Sequence, residues 1–215
     1  MYNPGVKRLI DLLLSLILLI GLSPIMLLTF VILRLTGTKN PIFIQERAGR
    51  WETPFNLFKF KTMNELRTPD GKMAGDQVRL TIVGKFLRKY SLDELPQLFN
   101  VLMGQMSLIG PRPLFVKYLR FYRSSETKRH SVRPGISGWA QVNGRNNADW
   151  DERLSLDSYY VENISLGLDL KIFYKTIINI ILTKDVVVDT PYLIKDLDDE
   201  RAFDVPNWTS QGHRK

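Results

Sequence analysis

Residues 12–33 carry no charged side chain, and everything after them breaks into short apolar runs separated by polar and turn-forming residues. As a helix that first run would extend roughly 33 Å at 1.5 Å per residue, close to the roughly 30 Å hydrocarbon core of a bilayer. A secretory signal fits poorly: the run is too long for an h-region, and no small-residue cleavage site follows it before Arg34. Ser23-Pro24 stands near its midpoint, where proline leaves the carbonyl near Ile20 unserved and the serine hydroxyl can help satisfy it, so a bend is expected. Lys7 and Arg8 flank one end and Arg34 and Lys39 the other. The positive-inside rule therefore gives no orientation for a straight span, whereas a helix that enters and leaves one leaflet places all four on the cytoplasmic side. The pattern leaves both arrangements open.

Beyond the apolar run, residues 41–45 and 55–63 read as strands, the second with Lys59 and Lys61 on one face. Thr68-Pro69-Asp70-Gly71 is turn chemistry, and residues 82–89 form a short helix. Ser91-Leu92-Asp93-Glu94 matches a capping box, and Leu92, Leu95, Leu98, Phe99 and Leu102 recur at helical spacing until Gly104. A helix is thus predicted from near Ser91, or from Asp93 if Pro96 is to fall in the first turn. Residues 115–122 look helical, residues 132–146 read as a glycine-punctuated loop, and residues 149–161 as a helix carrying Asp157. Residues 168–183 form a helix of the core or of the bilayer interface. The pattern predicts an α+β chain in three parts: a membrane helix (1–38), a mostly helical domain with a few short strands (39–184), and a partly flexible tail (185–215).

Charge sharpens the division. Of 30 basic and 22 acidic residues, 5 and 7 lie from Lys184 onward, so the body before the tail carries +10. Beside a hydrophobic anchor, that excess points to anionic lipid headgroups and phosphorylated substrates rather than nucleic acid, for which no motif is present. With no cysteine and only His130 and His213, thiolate and histidine metal sites are excluded, and any metal should be a hard, oxygen-bound cation. Walker and G-x-G-x-x-G sequences are absent, which removes P-loop and Rossmann readings.

The chemistry concentrates between Arg88 and Pro113. Asp93 and Glu94 are adjacent carboxylates within a turn of the predicted helix start, where the dipole favours negative charge; Asp93 should stay ionised, ready to hold a cation or attack an electrophile. In Gly110-Pro111-Arg112-Pro113 the prolines restrict the backbone around Arg112, presenting a planar fork suited to phosphate oxygens. Arg88 is near enough in sequence to pair with Asp93 or with substrate. Around Trp139, the residues Gln141, Asn143 and Arg145 supply hydrogen-bonding and stacking groups that suit a nucleotide.

The ordered set Lys7-Arg8-Leu9-Ile10-Asp11, Ser23-Pro24, Lys59-Phe60-Lys61-Thr62-Met63, Ser91-Leu92-Asp93-Glu94-Leu95-Pro96-Gln97, Gly110-Pro111-Arg112-Pro113 and Arg133-Pro134-Gly135-Ile136-Ser137-Gly138-Trp139 resembles the bacterial sugar transferases, small monotopic phosphoglycosyl transferases. The resemblance runs from about residue 6 to 183. It implies a re-entrant helix broken at Ser23-Pro24, with the globular part on the cytoplasmic face of the bacterial inner membrane. It also implies transfer of a sugar-1-phosphate from a UDP-sugar to undecaprenyl phosphate, with Mg²⁺ and release of UMP. Asp93 matches the family's nucleophile and metal-associated carboxylate and Glu94 its catalytic partner, while Lys59, Arg88, Arg112, Gln141, Arg145 and Asp157 fall among the substrate-binding positions. Lys61 stands where the family often has arginine. A homodimer is left open. The competing readings are a membrane-attached glycosyltransferase releasing UDP, for which a DXD metal motif is missing, and a non-enzymatic scaffold binding anionic lipid.

Overall fold

Asn3 opens the first helix, α1 (Pro4–Leu35): its side chain accepts from the Gly5 N–H, and Pro4 fills the first turn, where no backbone donor is missed. The structure is a computed structural model that describes residues 3–144, 149–182 and 196–202. Helical turns continue across Ser23-Pro24, so the expected break is not a gap in the helix. The Ser23 hydroxyl donates to the Ile20 carbonyl at 2.7 Å, replacing the bond that Pro24 cannot make.

Along α1, Asp11, Ser15, Thr29 and Leu33 are buried at helical spacing, whereas Ile17 and Ile20 are 63% and 68% exposed. One stripe of the helix therefore packs on the protein along its whole length, and the other presents hydrocarbon outward. Near the start, Lys7 pairs with Asp169 at 2.6 Å, and Arg8 donates to the Val101 and Leu102 carbonyls. The Asp11 carboxylate accepts from the Ser107 hydroxyl and the Leu108 N–H. At the far end, Leu33 packs with Phe60 and Leu87.

The chain then forms an antiparallel hairpin, β1 (Ile42–Ala48) and β2 (Pro54–Phe60), in register Ile42 to Phe60 through Ala48 to Pro54. Its tip holds Trp51 and Glu52 at positive φ, 56° and 61°. A turn at Thr68-Pro69-Asp70-Gly71, closed by the Gly71 N–H on the Thr68 carbonyl, precedes α2 (Asp76–Arg79) and α3 (Ile82–Lys89). Thr81 caps α3 through its hydroxyl. A Cβ on Gly84 would lie 2.0 Å from the Thr62 carbonyl oxygen, so only glycine lets α3 lie this close to the strand that precedes it.

The predicted capping box does not form. Ser91 takes a left-handed conformation (φ 54°) without capping through its side chain, Leu92–Glu94 is a single 3₁₀ turn, and α4 (Gln97–Leu102) begins only after Pro96. Pro96 is the cause: lacking an N–H, it cannot bond back to Leu92, and the chain proceeds by i to i−3 bonds at Leu95, Leu98 and Phe99. Gly104, at φ 84°, ends α4 as expected.

β3 (Ser107–Ile109) pairs in parallel with β4 (Gly135–Ser137). Between them, residues 116–121 and 127–131 form 3₁₀ turns. The stretch read as a glycine-punctuated loop is instead largely ordered into β4 and α5 (Trp139–Asn143). Its glycines serve packing: a Cβ on Gly135 would meet the Gly110 nitrogen at 2.1 Å. α6 (Trp150–Glu162), capped by Asp149, and α7 (Leu166–Ile181), capped by Ser165, complete the body. α7 buries Asp169 and Ile172 but exposes Leu170, Tyr174 and Ile181, so it is a face of the domain and not a core helix.

The main core joins Phe55 and Leu57 of β2, Leu98 and Val101 of α4, Met106, Leu108 and Ile109 around β3, Tyr160 of α6 and Ile172 of α7, with Leu18 and Leu19 of α1 packed against it. A second cluster unites Tyr118, Phe121 and Trp150 with Leu197 of α8 (Leu197–Glu200). Part of the predicted tail is therefore docked on the body. Arg201 grips both Glu126 carboxylate oxygens and Asp151 and donates to the Phe121 carbonyl, and Lys117 bonds Asp196 and Asp198.

Candidate active site

The Leu92–Glu94 turn, the end of β2, α3 and the Gly110-Pro111-Arg112-Pro113 segment meet at one large cavity of about 960 Å³. Arg88 reaches it from α3 and is anchored by its Nε donating to the Thr62 hydroxyl at 3.1 Å. Glu94 is held by two cations on one oxygen, Lys59 at 2.7 Å and Arg112 at 2.9 Å. Although burial opposes its charge, Arg112 and Lys59 win, and the Glu94 carboxyl falls to about 2.

Asp93 behaves differently. It is buried, and its carboxylate accepts no hydrogen bond from the described residues. Burial first, and the neighbouring Glu94 second, push its pKa up against the pull of Lys59, Arg88 and Arg112. A helix terminus is not what acts on it: the nearest α-helix starts at Gln97, and desolvation outweighs whatever a three-residue turn contributes, so the carboxyl lies above its ordinary value.

Arg112 is placed from behind. The buried Arg129 guanidinium donates to the Arg112 carbonyl and pairs with Asp157 at 2.8 Å, so Asp157 on α6 supports the Arg112 segment through Arg129. The remaining Asp157 oxygen is buried without a partner, and burial raises that carboxyl. Gln141 on α5 donates from Nε2 to the Ile136 carbonyl, which leaves its buried Oε1 an unused acceptor in the cavity wall. Arg145 lies outside the described residues.

The fold thus gathers Lys59, Arg88, Asp93, Glu94, Arg112, Gln141 and Asp157 around one space. Lys61, just past β2, also lines it and pairs with Glu65. Five arginines of the same wall escaped sequence reading: Arg47, Arg67, Arg79, Arg129 and Arg153. Arg47 shares a strand face with Phe43 and Gln45, so extending the first strand by two residues would have exposed it. Arg153 lies on the α6 face that carries Trp150 and Asp157, three and four residues away. No sequence signal marks Arg129.

No group of three Asp, Glu, His or Cys side chains suited to a metal occurs among the described residues. A hard cation here would rest on Asp93, the carboxylate without a protein partner, and on oxygens of the substrate, the sparse protein ligation that Mg²⁺ accepts beside phosphates.

Away from the dyad, the cavity wall turns apolar, with Leu18 and Leu22 of α1 facing Phe173 and Ile180 of α7. Charged side chains and apolar ones from α1 and α7 thus line one and the same space.

A family model described as bacterial sugar transferase matches residues 2–183. The chain belongs to that family. Among similar proteins, the uncharacterized sugar transferase EpsL of Bacillus subtilis is 46% identical over 180 residues, covering 84% of this chain and 89% of EpsL. A UDP-N-acetylgalactosamine-undecaprenyl-phosphate N-acetylgalactosaminephosphotransferase of Aeromonas hydrophila is 43% identical, over 80% of this chain and 43% of that protein. A UDP-glucose:undecaprenyl-phosphate glucose-1-phosphate transferase of Klebsiella pneumoniae is 42% identical, over 81% and 40%. This sugar transferase chain therefore spans most of EpsL but about two fifths of the two relatives named for a reaction. It carries one helix long and apolar enough to cross a membrane, Pro4–Leu35.

Proposed function

We propose that this protein transfers a sugar-1-phosphate from a UDP-sugar to undecaprenyl phosphate, releasing UMP, as the first membrane step of a bacterial glycoconjugate. The observation that carries the reading is the buried, unpartnered Asp93 beside a cation-clamped Glu94, in a cavity that continues onto the anchor helix. The names of the Aeromonas and Klebsiella relatives support the substrate classes.

In this reading an Asp93 oxygen attacks the sugar-bearing phosphorus, the bond to the bridging oxygen breaks, and UMP leaves with that electron pair. An oxygen of the lipid phosphate then attacks the same phosphorus, and the Asp93 carboxylate departs. Splitting the reaction spares the protein from holding a soluble and a lipid substrate together. Lys59, Arg88 and Arg112 face the charge that develops on the phosphate oxygens. Glu94, clamped on one oxygen by Lys59 and Arg112, fixes both cations beside the phosphates and stands next to Asp93 as its catalytic partner. Mg²⁺ bound at Asp93 and the diphosphate would neutralise charge on the leaving phosphate.

The same reading places α1 as a re-entrant helix with the body on the cytoplasmic face of the inner membrane. Support comes from contacts at both ends of α1: Lys7 and Asp11 hold Asp169 and Leu108, while Leu33 packs with Phe60 and Leu87. A helix crossing the bilayer would carry one of those ends roughly 30 Å away from a body on one side.

The deciding experiment supplies lipid-embedded protein and Mg²⁺ with a panel of UDP-sugars, with and without undecaprenyl phosphate. Acceptor-dependent UMP is expected, with a stoichiometric burst when acceptor is withheld. Release of UDP would overturn the reading in favour of glycosyl transfer.

A further inference from the structure

Among the cavity arginines that the Asp93–Glu94 site leaves without a task, Arg47 and Arg153 are the two on which the Arg112 charge acts. Arg47 projects from β1 into the space, its guanidinium stacked over the Phe115 ring at 3.6 Å and bonded to Gln45, with Nε buried and unpartnered. Arg153 projects from α6 with its guanidinium 5.5 Å from the Trp150 ring, and Trp150 is itself buried edge-on against Tyr118. Neither makes an ion pair with a carboxylate among the described residues; of the acids on the cavity wall, Asp157 is taken by Arg129 and Glu94 by Lys59 and Arg112. Both crowd Arg112: burial and then the Arg112 charge depress each of them, Arg47 to about 10. Arg47 and Arg153 are held by ring contacts and Arg112 by Glu94, and the mutual repulsion of the three guanidiniums is what a multiply charged oxyanion would relieve.

Their position relative to Asp93 decides which anion. Lys59, Arg88 and Arg112 act on Asp93, and neither Arg47 nor Arg153 is among them; Arg112 acts on both Arg47 and Arg153, and Glu94 on Arg47. Arg112 is thus the charge shared by the carboxylate pair and the two further arginines of the cavity wall. In an in-line displacement the leaving oxygen lies opposite the attacking one, so the leaving phosphate sits beyond the transferred one as seen from Asp93. We propose that Arg47 and Arg153 form, with Arg112, a phosphate subsite that takes the phosphate of the departing nucleotide. This rests on the transfer reaction proposed above and adds the residues that hold its leaving group.

The test is equilibrium binding by the full chain in lipid nanodiscs, titrated calorimetrically with UMP and with uridine. Arg47→Gln and Arg153→Gln are each expected to weaken UMP about ten- to a hundredfold and leave uridine unchanged, the loss of one charge-assisted contact. Arg153→Lys, which keeps the charge without the fork, is expected to fall between Arg153→Gln and the unaltered protein and covers the case in which a glutamine variant melts early. Unaltered UMP affinity in both glutamine variants, at the melting temperature of the parent protein, overturns the proposal. So does a raised KM for undecaprenyl phosphate with UMP affinity unchanged, which would give the pair to the lipid phosphate. Release of UDP in turnover would defeat the transfer reaction alone, since this readout is UMP binding and not catalysis.

Discussion

Asp93 and Glu94 are neighbours in sequence with opposite electrostatic fates. Glu94 is bonded to two cations and stays charged, while Asp93 has the burial without the bonds. Asp93→Asn keeps the shape and removes a charge that burial opposes. We expect turnover to fall at least about a thousandfold, with the melting temperature equal to or above that of the parent protein. Acceptor-dependent UMP release and a thermal melt on the same preparation check both halves, and normal turnover would remove Asp93 as nucleophile. His130 gives a pH signature independent of the dyad. Its Nδ1 faces the Gly49 carbonyl, its Nε2 is buried without a partner, and burial followed by the Arg129 charge lowers it from 6.5 to about 4. The unfolded chain thus takes up this proton first as pH falls. The contribution of neutral His130 is whole above about 6.5 and shrinks as pH drops toward about 4, a loss of up to about 3 kcal/mol. Denaturant melts between pH 4 and 7 should show that slope, and His130→Gln should flatten it.

At the scale of elements, the cavity depends on segments clamped from outside it. Arg201 bridges Glu126 and Asp151, tying a 3₁₀ turn to the α6 helix that carries Trp150, Arg153 and Asp157. Glu126 and Arg201 are both buried, so Arg201→Ala strands a charge and should cost about 3 kcal/mol, the lower end for breaking such a pair. Urea unfolding would measure it; a loss under about 0.5 kcal/mol would mean that the docked segment contributes nothing to α6. Helices 82–89 and 149–161 and the two strands were legible because their caps and periodicities lie within a few residues, whereas the antiparallel pairing of the strands came from the structure. The helix predicted from Ser91 was not, because the S-x-x-E pattern and the helical spacing are satisfied on paper whether or not Pro96 interrupts the bonding.

For the whole molecule, α1 is both the helix long and apolar enough to cross a membrane and part of the site. Its Leu18 and Leu22 line the cavity, and its two ends hold the body at Asp169, Leu108 and the Phe60–Leu87 cluster. The chain has no cysteine, so single substitutions Asn3→Cys and Lys39→Cys report topology without background. Both are expected to label only from the cytoplasmic side; periplasmic labelling at Asn3→Cys would mean that α1 spans. The sequence alone determined the apolar helix, the two strands after it, the Asp93-Glu94 pair and the proline-locked Arg112, because each is written in residues near one another or in an ordered set of motifs. Only the tertiary structure decided that Glu94 is clamped, that burial opposes the charge on Asp93, that Arg47 and Arg153 stand beside Arg112, and that Leu197 and Arg201 dock. Those outcomes rest on partners 18, 35 and 75 residues apart, as in Arg112–Glu94, Lys59–Glu94 and Arg201–Glu126. Burial and charge act through space, and the periodicity of a chain fixes which face a residue takes but not what will be folded against it.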